Sequence, residues 1–212
     1  MTYSEYLSLK DKFHRERFLN AIEDLWVITS HNPGVFTCGR SFKRHSLLSS
    51  EESIEESGRE IQEIERGGDI TYHGPSQLMI YPFIKVPDRD IEKMVRNLEQ
   101  VIIMVLAEFG LTGVPVSGYP GIWCEGSKIA SIGLAVRKWI TMHGVSFNHQ
   151  KDDGGFKMIV PCGIEGVTMT SLEELQSTKI NKIELVDIFV KSIENVFDEK
   201  LENIDFENLL RK

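Results

Sequence analysis

The chain reads as an α+β protein, a mixed β-sheet flanked by helices, and three features of the sequence predict it. Helical and strand-like runs are mixed without the regular strand–helix–strand rhythm of a doubly wound fold. Between the two strongest helical signals lies a stretch, residues 114–149, whose β-branched and glycine content reads as a meander of strands. The composition is that of a packed globular chain, with 212 residues, 41% hydrophobic and 26% charged. Such a length can bury roughly 70% of its unfolded surface without disulfide staples. A single domain over 1–212 is the expectation.

The first 20 residues look helical, with Leu7, Phe13 and Phe18 apolar among Lys, Arg and Glu. Leu25–Thr29 and Val35–Cys38 read as short strands separated by the turn signal His31-Asn32-Pro33-Gly34. Residues 49–58 read as an acidic, serine-bearing connection. Ile61 and Ile64 lead into Arg66-Gly67-Gly68, after which a bent hairpin is expected, with its turn at Gly74-Pro75. Residues 77–84 resemble a buried strand that ends before Pro87. Asp90 can cap a long helix whose apolar positions are Ile91, Met94, Val95, Leu98, Val101, Ile102, Val105 and Phe109, and Gly110 stops it. After the meander, Val186, Phe189, Val190, Ile193, Val196 and Phe197 recur at helical spacing.

Charge and composition narrow the function. The net charge of −8 argues against a general nucleic-acid surface, which needs a basic footprint. The longest apolar run, residues 101–107, falls far short of the ~20 residues that span a bilayer, and no secretory signal opens the chain. A soluble, cytoplasmic protein is expected, binding neither nucleic acid nor membrane. Three cysteines, Cys38, Cys124 and Cys162, without a C-x-x-C spacing, indicate neither a disulfide framework nor a zinc site.

Three glycine-containing stretches can carry chemistry. In the first, residues 66–77, adjacent glycines let the backbone approach a ligand, although neither the Walker nor the Rossmann spacing is present. In the second, Lys128 opens an otherwise small and apolar strand. It reads either as a solvated strand end or as a partly desolvated ammonium that acts on a neighbour. In the third, Pro161 fixes the backbone and Gly163 permits a sharp turn, so that Cys162 presents its sulfur. Cys38 and Cys124 lie inside strand-like runs and look structural. His73 and His143, each beside a glycine, are alternative activators of a thiol.

Taken together and in this order, four motifs resemble the lipoyl(octanoyl) transferases: Arg66-Gly67-Gly68 with Thr71-Tyr72-His73-Gly74-Pro75, Lys128-Ile129-Ala130-Ser131-Ile132-Gly133, His143-Gly144 with Asn148, and Pro161-Cys162-Gly163. His31-x-Pro33-x-Val35-Phe36-Thr37-x-Gly39-Arg40 and Thr170-Ser171-Leu172 add to the match, which runs over residues 3–175. The resemblance implies the fold of biotin and lipoate protein ligases and transfer of an octanoyl group from acyl carrier protein to a specific lysine. The implied acceptors are the lipoyl domains of 2-oxoacid dehydrogenase E2 subunits and the glycine cleavage H protein. It implies no cofactor and no metal. It makes Cys162 the acyl-thioester nucleophile and Lys128 its activating partner. It lines the acyl pocket with Arg66, Gly67, Gly68, Asp69, Ile70, Thr71, Tyr72, His73, Ser131, Ile132, Gly133, His143, Gly144, Val145 and Ser146. Backbone amides near Cys162 or in the Gly67-Gly68 loop are expected to hold the oxyanion. Ser76 stands where the family usually has glycine. The alternatives are an ATP-dependent lipoate ligase, an amidotransferase between lipoyl-bearing proteins and a non-catalytic acyl-binding module. An acidic carrier protein needs local positive charge, for which Arg40, Lys43, Arg44, Arg137 and Lys138 are the candidates.

Overall fold

The computed structural model describes residues 1–204; the end of the expected 1–212 domain lies outside the described residues. Helix α1 (Tyr3–Phe18) starts at a reciprocal cap. Thr2 Oγ1 accepts from the Glu5 amide at 3.2 Å, and the Glu5 carboxylate accepts from the Thr2 amide at 2.7 Å. Two strands follow, β1 (Leu25–Thr29) and β2 (Val35–Cys38). The stretch 49–58 is not a plain connection. It contains a short helix, α2 (Glu51–Glu56), because Ser50 caps the Ser53 amide, acidic residues fill the first turn, and Ile54 is buried beneath.

Next come β3 (Glu60–Glu63), β4 (Ile70–His73) and β5 (Gln77–Phe83). The expected hairpin across Gly74-Pro75 does not form. β4 pairs with β2 in a three-stranded sheet ordered β3-β2-β4, whereas β5 joins a six-stranded sheet. Residues 74–76 carry the chain from one sheet to the other, held by Gln77, whose side chain accepts from the Gly74 amide at 3.1 Å.

Helix α3 (Ile91–Glu108) is capped by Asp90 as expected. The meander is β6 (Val114–Val116), β7 (Tyr119–Cys124), β8 (Ser127–Arg137) and β9 (Ile140–Asn148). With β5 and β1 it completes an antiparallel sheet of order β1-β5-β9-β8-β7-β6. The mixed character comes from the small sheet, where β2 runs parallel to β3. Helices α4 (Leu172–Gln176) and α5 (Lys182–Phe197) end the described part.

Strand alternation sorts the core into two layers. Leu78 and Ile80 of β5 and Val145 and Phe147 of β9 face α3 and α5, meeting Leu98, Ile102, Leu185 and Phe189. Met79, Tyr81 and Phe83 face the opposite way, onto Tyr3, Tyr6 and Phe13 of α1. The small sheet has its own cluster, Phe36, Ile70, Tyr72, Phe156 and Ile159. The seam between α1, the two sheets and the loop after β9 is where the polar residues collect.

Candidate active site

Cys162 occupies a single 3₁₀ turn, Pro161–Gly163, with φ 58° and ψ 16°. That left-handed conformation is costly for a residue with a Cβ and is held by its surroundings. The Val160 amide donates to Ser46 O at 2.7 Å, and the Gly163 amide donates to Val160 O at 3.0 Å. Gly163 has φ +67°, and a Cβ there would press on the Asp69 side chain, so only glycine fits. The turn leaves the Cys162 thiol partly exposed, while Cys38 and Cys124 are buried. Burial pushes the Cys38 thiol up to about 11, which keeps it protonated and inert.

Lys128, the second residue of β8, is no solvated strand end: it is 2% exposed. Its backbone is clamped by the segment before α4, donating to Thr168 O at 2.8 Å and accepting from the Thr170 amide at 3.0 Å. The ammonium lies 4.5 Å from the centroid of the Trp123 ring. Gly121, at φ +134°, packs against the same stretch of β8: a Cβ there would stand 2.3 Å from Ala130 O and 3.0 Å from Lys128 Cε. From this position Lys128 Nζ is 3.7 Å from Cys162 Sγ, and Ser131 Oγ is 3.6 Å from the same sulfur.

The thiol faces a cavity of about 130 Å³, far larger than the ~10–15 Å³ one water needs. Of the expected lining, Arg66, Gly67, Gly68, Asp69, Thr71, His73, Ser131, Ile132, Gly133, His143, Gly144 and Ser146 border it. Ile70, Tyr72 and Val145 do not. Alternation along the strands turns Ile70 and Tyr72 into the cluster of the small sheet and Val145 toward α3 and α5. Tyr3, Met79, Tyr81 and Tyr119 also border the cavity and were not anticipated. The period-two pattern of β5 already separates Met79 and Tyr81 from Leu78 and Ile80, but nothing local says which face meets a cavity.

The polar lining is organised. Buried Arg66 donates from Nε to Thr37 Oγ1 at 3.1 Å, from Nη1 to Gly67 O at 2.8 Å, and to the Thr37 carbonyl. Asp69 accepts from the Ile70 amide at 2.6 Å and from Ser46 Oγ at 2.8 Å, tying the loop after β2 to the cavity wall. His143 does not approach the thiol. Its Nδ1 is 3.4 Å from Tyr6 OH and its Nε2 3.5 Å from Glu65. Its φ of +59° marks a second strained position beside the cavity. The His143 hydrogen bond, together with Lys10, holds the Glu65 carboxyl well below the usual range, while burial keeps His143 itself low. Two candidate oxyanion donors are already bonded, the Gly67 amide to Leu134 O and the Gly163 amide to Val160 O.

Among the cationic candidates, Arg40, Lys43 and Arg44 are exposed on the segment that flanks the glycine rim, with the Arg40 amide on Arg66 O and the Ser41 amide on Gly68 O, both at 3.0 Å. Arg137 and Lys138 lie elsewhere. Arg137 ends β8, about 20 Å from Ser131 at ~3.3 Å per residue, and Lys138 follows in the turn; there Arg137 O meets His14 and Lys138 covers the Phe18 ring.

Residues 2–194 match the family model described as the lipoyl protein ligase A/B catalytic domain. An octanoyltransferase of Caldicellulosiruptor saccharolyticus is 38% identical over 98% of this chain and 89% of its own length. One from Flavobacterium psychrophilum is 37% identical over 92% of this chain and 88% of its own. Among solved structures, a bi-partite lipoate protein ligase of Thermoplasma acidophilum superposes with a TM-score of 0.70 at 14% identity, covering 96% of this chain and 86% of that one. The last shares the fold; the first two share the sequence nearly end to end, and the chain therefore belongs to the octanoyltransferases, acyltransferase enzymes of the lipoyl protein ligase A/B catalytic-domain family.

Proposed function

We propose that this enzyme moves an octanoyl group from acyl carrier protein to a lysine of lipoyl-accepting domains through a thioester on Cys162. The observation that supports this most is the approach of Lys128 Nζ to within 3.7 Å of a partly exposed Cys162 Sγ beside an acyl-sized cavity. The Cys162 thiolate attacks the donor carbonyl, and the phosphopantetheine thiolate departs with a proton from the Lys128 ammonium. The acceptor amine then attacks the Cys162 thioester. The sulfur leaves as thiolate, and Lys128 takes the proton released by the new amide, which restores the starting state.

A covalent relay suits two bulky protein substrates that use the same mouth in turn. Transfer between thioesters is nearly balanced and aminolysis runs downhill, so the cycle needs no nucleotide. Burying the acyl chain contributes ~0.8 kcal/mol per methylene, enough to retain the intermediate while partners exchange. Mixing the enzyme with octanoyl-acyl carrier protein should give an octanoyl adduct by intact mass, mapped to Cys162 and discharged by an apo lipoyl domain without ATP. Transfer that needs ATP and leaves Cys162 unmodified would overturn this reading in favour of a ligase.

A further inference from the structure

β8 carries a β-bulge beside the nucleophile. Gly121 of β7 pairs with Ser131 and Ile122 with Ala130, but Trp123 pairs with Lys128, so Ile129 is an extra residue on β8. Side chains alternate along a regular strand, and residues three apart face opposite ways. The extra residue cancels one alternation. Ile129 and Ala130 both enter the core with α3 and α5, and Lys128 and Ser131 both border the cavity. The bulge therefore brings two donors to one sulfur, Lys128 Nζ at 3.7 Å and Ser131 Oγ at 3.6 Å.

Among the described residues that sulfur is the one hydrogen-bond partner of Ser131 Oγ, and a hydroxyl hydrogen turns to suit its acceptor. An acyl group on Cys162 enters the cavity that Ser131 borders, and its carbonyl oxygen lies two bonds from the sulfur. A hydroxyl in contact with the sulfur is within reach of that oxygen. The Gly67 and Gly163 amides, by contrast, are already bonded to Leu134 O and Val160 O. We propose that Ser131 is a catalytic residue, whose hydroxyl donates to the Cys162 sulfur in the free enzyme and to the acyl oxygen as the tetrahedral intermediate forms. When the thiolate attacks, the carbonyl π electrons pass to oxygen, which accepts the Ser131 hydrogen bond. The proton stays on Ser131, and the electron pair re-forms the carbonyl as the donor thiolate departs. The proposal rests on the Cys162 thioester reading and supplies its oxyanion donor.

Two reactions of the same sulfur separate the roles. Acylation by octanoyl-acyl carrier protein passes through an oxyanion, whereas alkylation by iodoacetamide is a direct displacement that forms none. In single-turnover measurements on the whole chain, Ser131→Ala should slow acylation of Cys162 about 10²–10³-fold and change alkylation by less than about threefold. Ser131→Thr, which keeps the hydroxyl, should recover acylation to within about tenfold of wild type. Melting temperatures identify any variant that fails to fold. A Ser131→Ala chain that acylates Cys162 as fast as wild type would remove the role of Ser131 and leave the thioester reading standing. Equal falls in acylation and alkylation would also overturn the proposal, because Ser131 would then act on the thiol alone. A wild-type chain that forms no octanoyl adduct would overturn the thioester reading and the role of Ser131 together.

Discussion

At the scale of single residues, the proposed chemistry turns on one sulfur flanked by an ammonium at 3.7 Å and a hydroxyl at 3.6 Å. Cys162→Ser should abolish octanoyl transfer while leaving the melting temperature within a few degrees of wild type, because the side chain is partly exposed and its turn is built by neighbours. Turnover within tenfold of wild type would refute a thioester on this residue. Cys38→Ser and Cys124→Ser should stay active, at a packing cost of ~1–3 kcal/mol each for placing a hydroxyl in an apolar site. Lys128→Met removes the cation that lies 3.7 Å from the Cys162 sulfur. Iodoacetamide labelling of Cys162 at neutral pH should slow about tenfold or more, and unchanged labelling would shift the role to another group. Lys128→Arg should not restore full transfer, since a guanidinium keeps the charge but does not take up the acceptor's proton.

At the scale of elements, the site depends on backbone that only particular residues tolerate. Gly121 on β7 has φ +134° and shapes the slot for Lys128, whereas Gly126, in the tight turn before β8, has φ +80° with open space around it. A Cβ at Gly121 would stand 2.3 Å from Ala130 O on the paired strand and 3.0 Å from Lys128 Cε, so Gly121→Ala should cost at least ~1–3 kcal/mol of stability and slow acylation of Cys162 at least tenfold by shifting the β8 backbone that carries Lys128. Gly126→Ala should cost a comparable amount or less with acylation rates near wild type. Equal effects of both changes on acylation would show that Gly121 acts through folding alone. The helices place their load differently. α1 brings Tyr3 and Tyr6 against Tyr81, whose ring stacks on Tyr6 at 4.0 Å and whose hydroxyl is 2.7 Å from His31 Nε2. That element closes the cavity side of the sheet, while α3 and α5 only support its back.

At the scale of the whole molecule, buried histidines set the pH dependence of stability. Burial lowers His31 and His149 to about 4 in the fold, from an ordinary value near 6.5. Between those values the unfolded chain binds more protons, so stability falls as pH drops from 6.5 toward 4, by up to about 1.4 kcal/mol per pH unit for each histidine. Glu65, held below the usual carboxylate range, contributes stability that is present above pH ~4.5 and lost below it. Urea midpoints should therefore drop clearly between pH 7 and pH 5, and His149→Gln should flatten part of that slope; equal midpoints at the two values would contradict it. Charge distribution governs partner encounter in the same way. On the proposed reading the donor is an acidic carrier protein; with a net charge of −8, long-range attraction to it is excluded and local charge must act. Reversing Lys43 and Arg44 to Glu should raise the Michaelis constant for octanoyl-acyl carrier protein several-fold at low salt and little at high salt. A small octanoyl thioester should be nearly unaffected. Equal losses with both donors would point to damage in the cavity.

The fold class, the two long helices, the meander and the turn at Cys162 were legible in the sequence because each rests on local chemistry. Hydrophobic spacing reports helices and strands, Asp90 and Gly110 punctuate α3, and proline and glycine around Cys162 mark a turn, which contacts with Ser46 and Asp69 then hold. Residues 49–58 show the limit of that reading, where charge suggested a linker and a serine cap with one buried isoleucine made a helix. What tertiary structure alone decided is which segments meet. The turn at Gly74-Pro75 looks like a hairpin locally, yet β4 and β5 join different sheets because their pairing partners, β2 and β9, lie far away in the chain. Lys128 reads locally as a solvated strand end until Gly121, Trp123 and the segment around Thr168 enclose it. Tyr3, Met79 and Tyr81 carry no local mark of a cavity. Local patterns are fixed by short-range sterics and burial, whereas a cavity is the space left between elements distant in sequence, and no stretch of chain encodes it by itself.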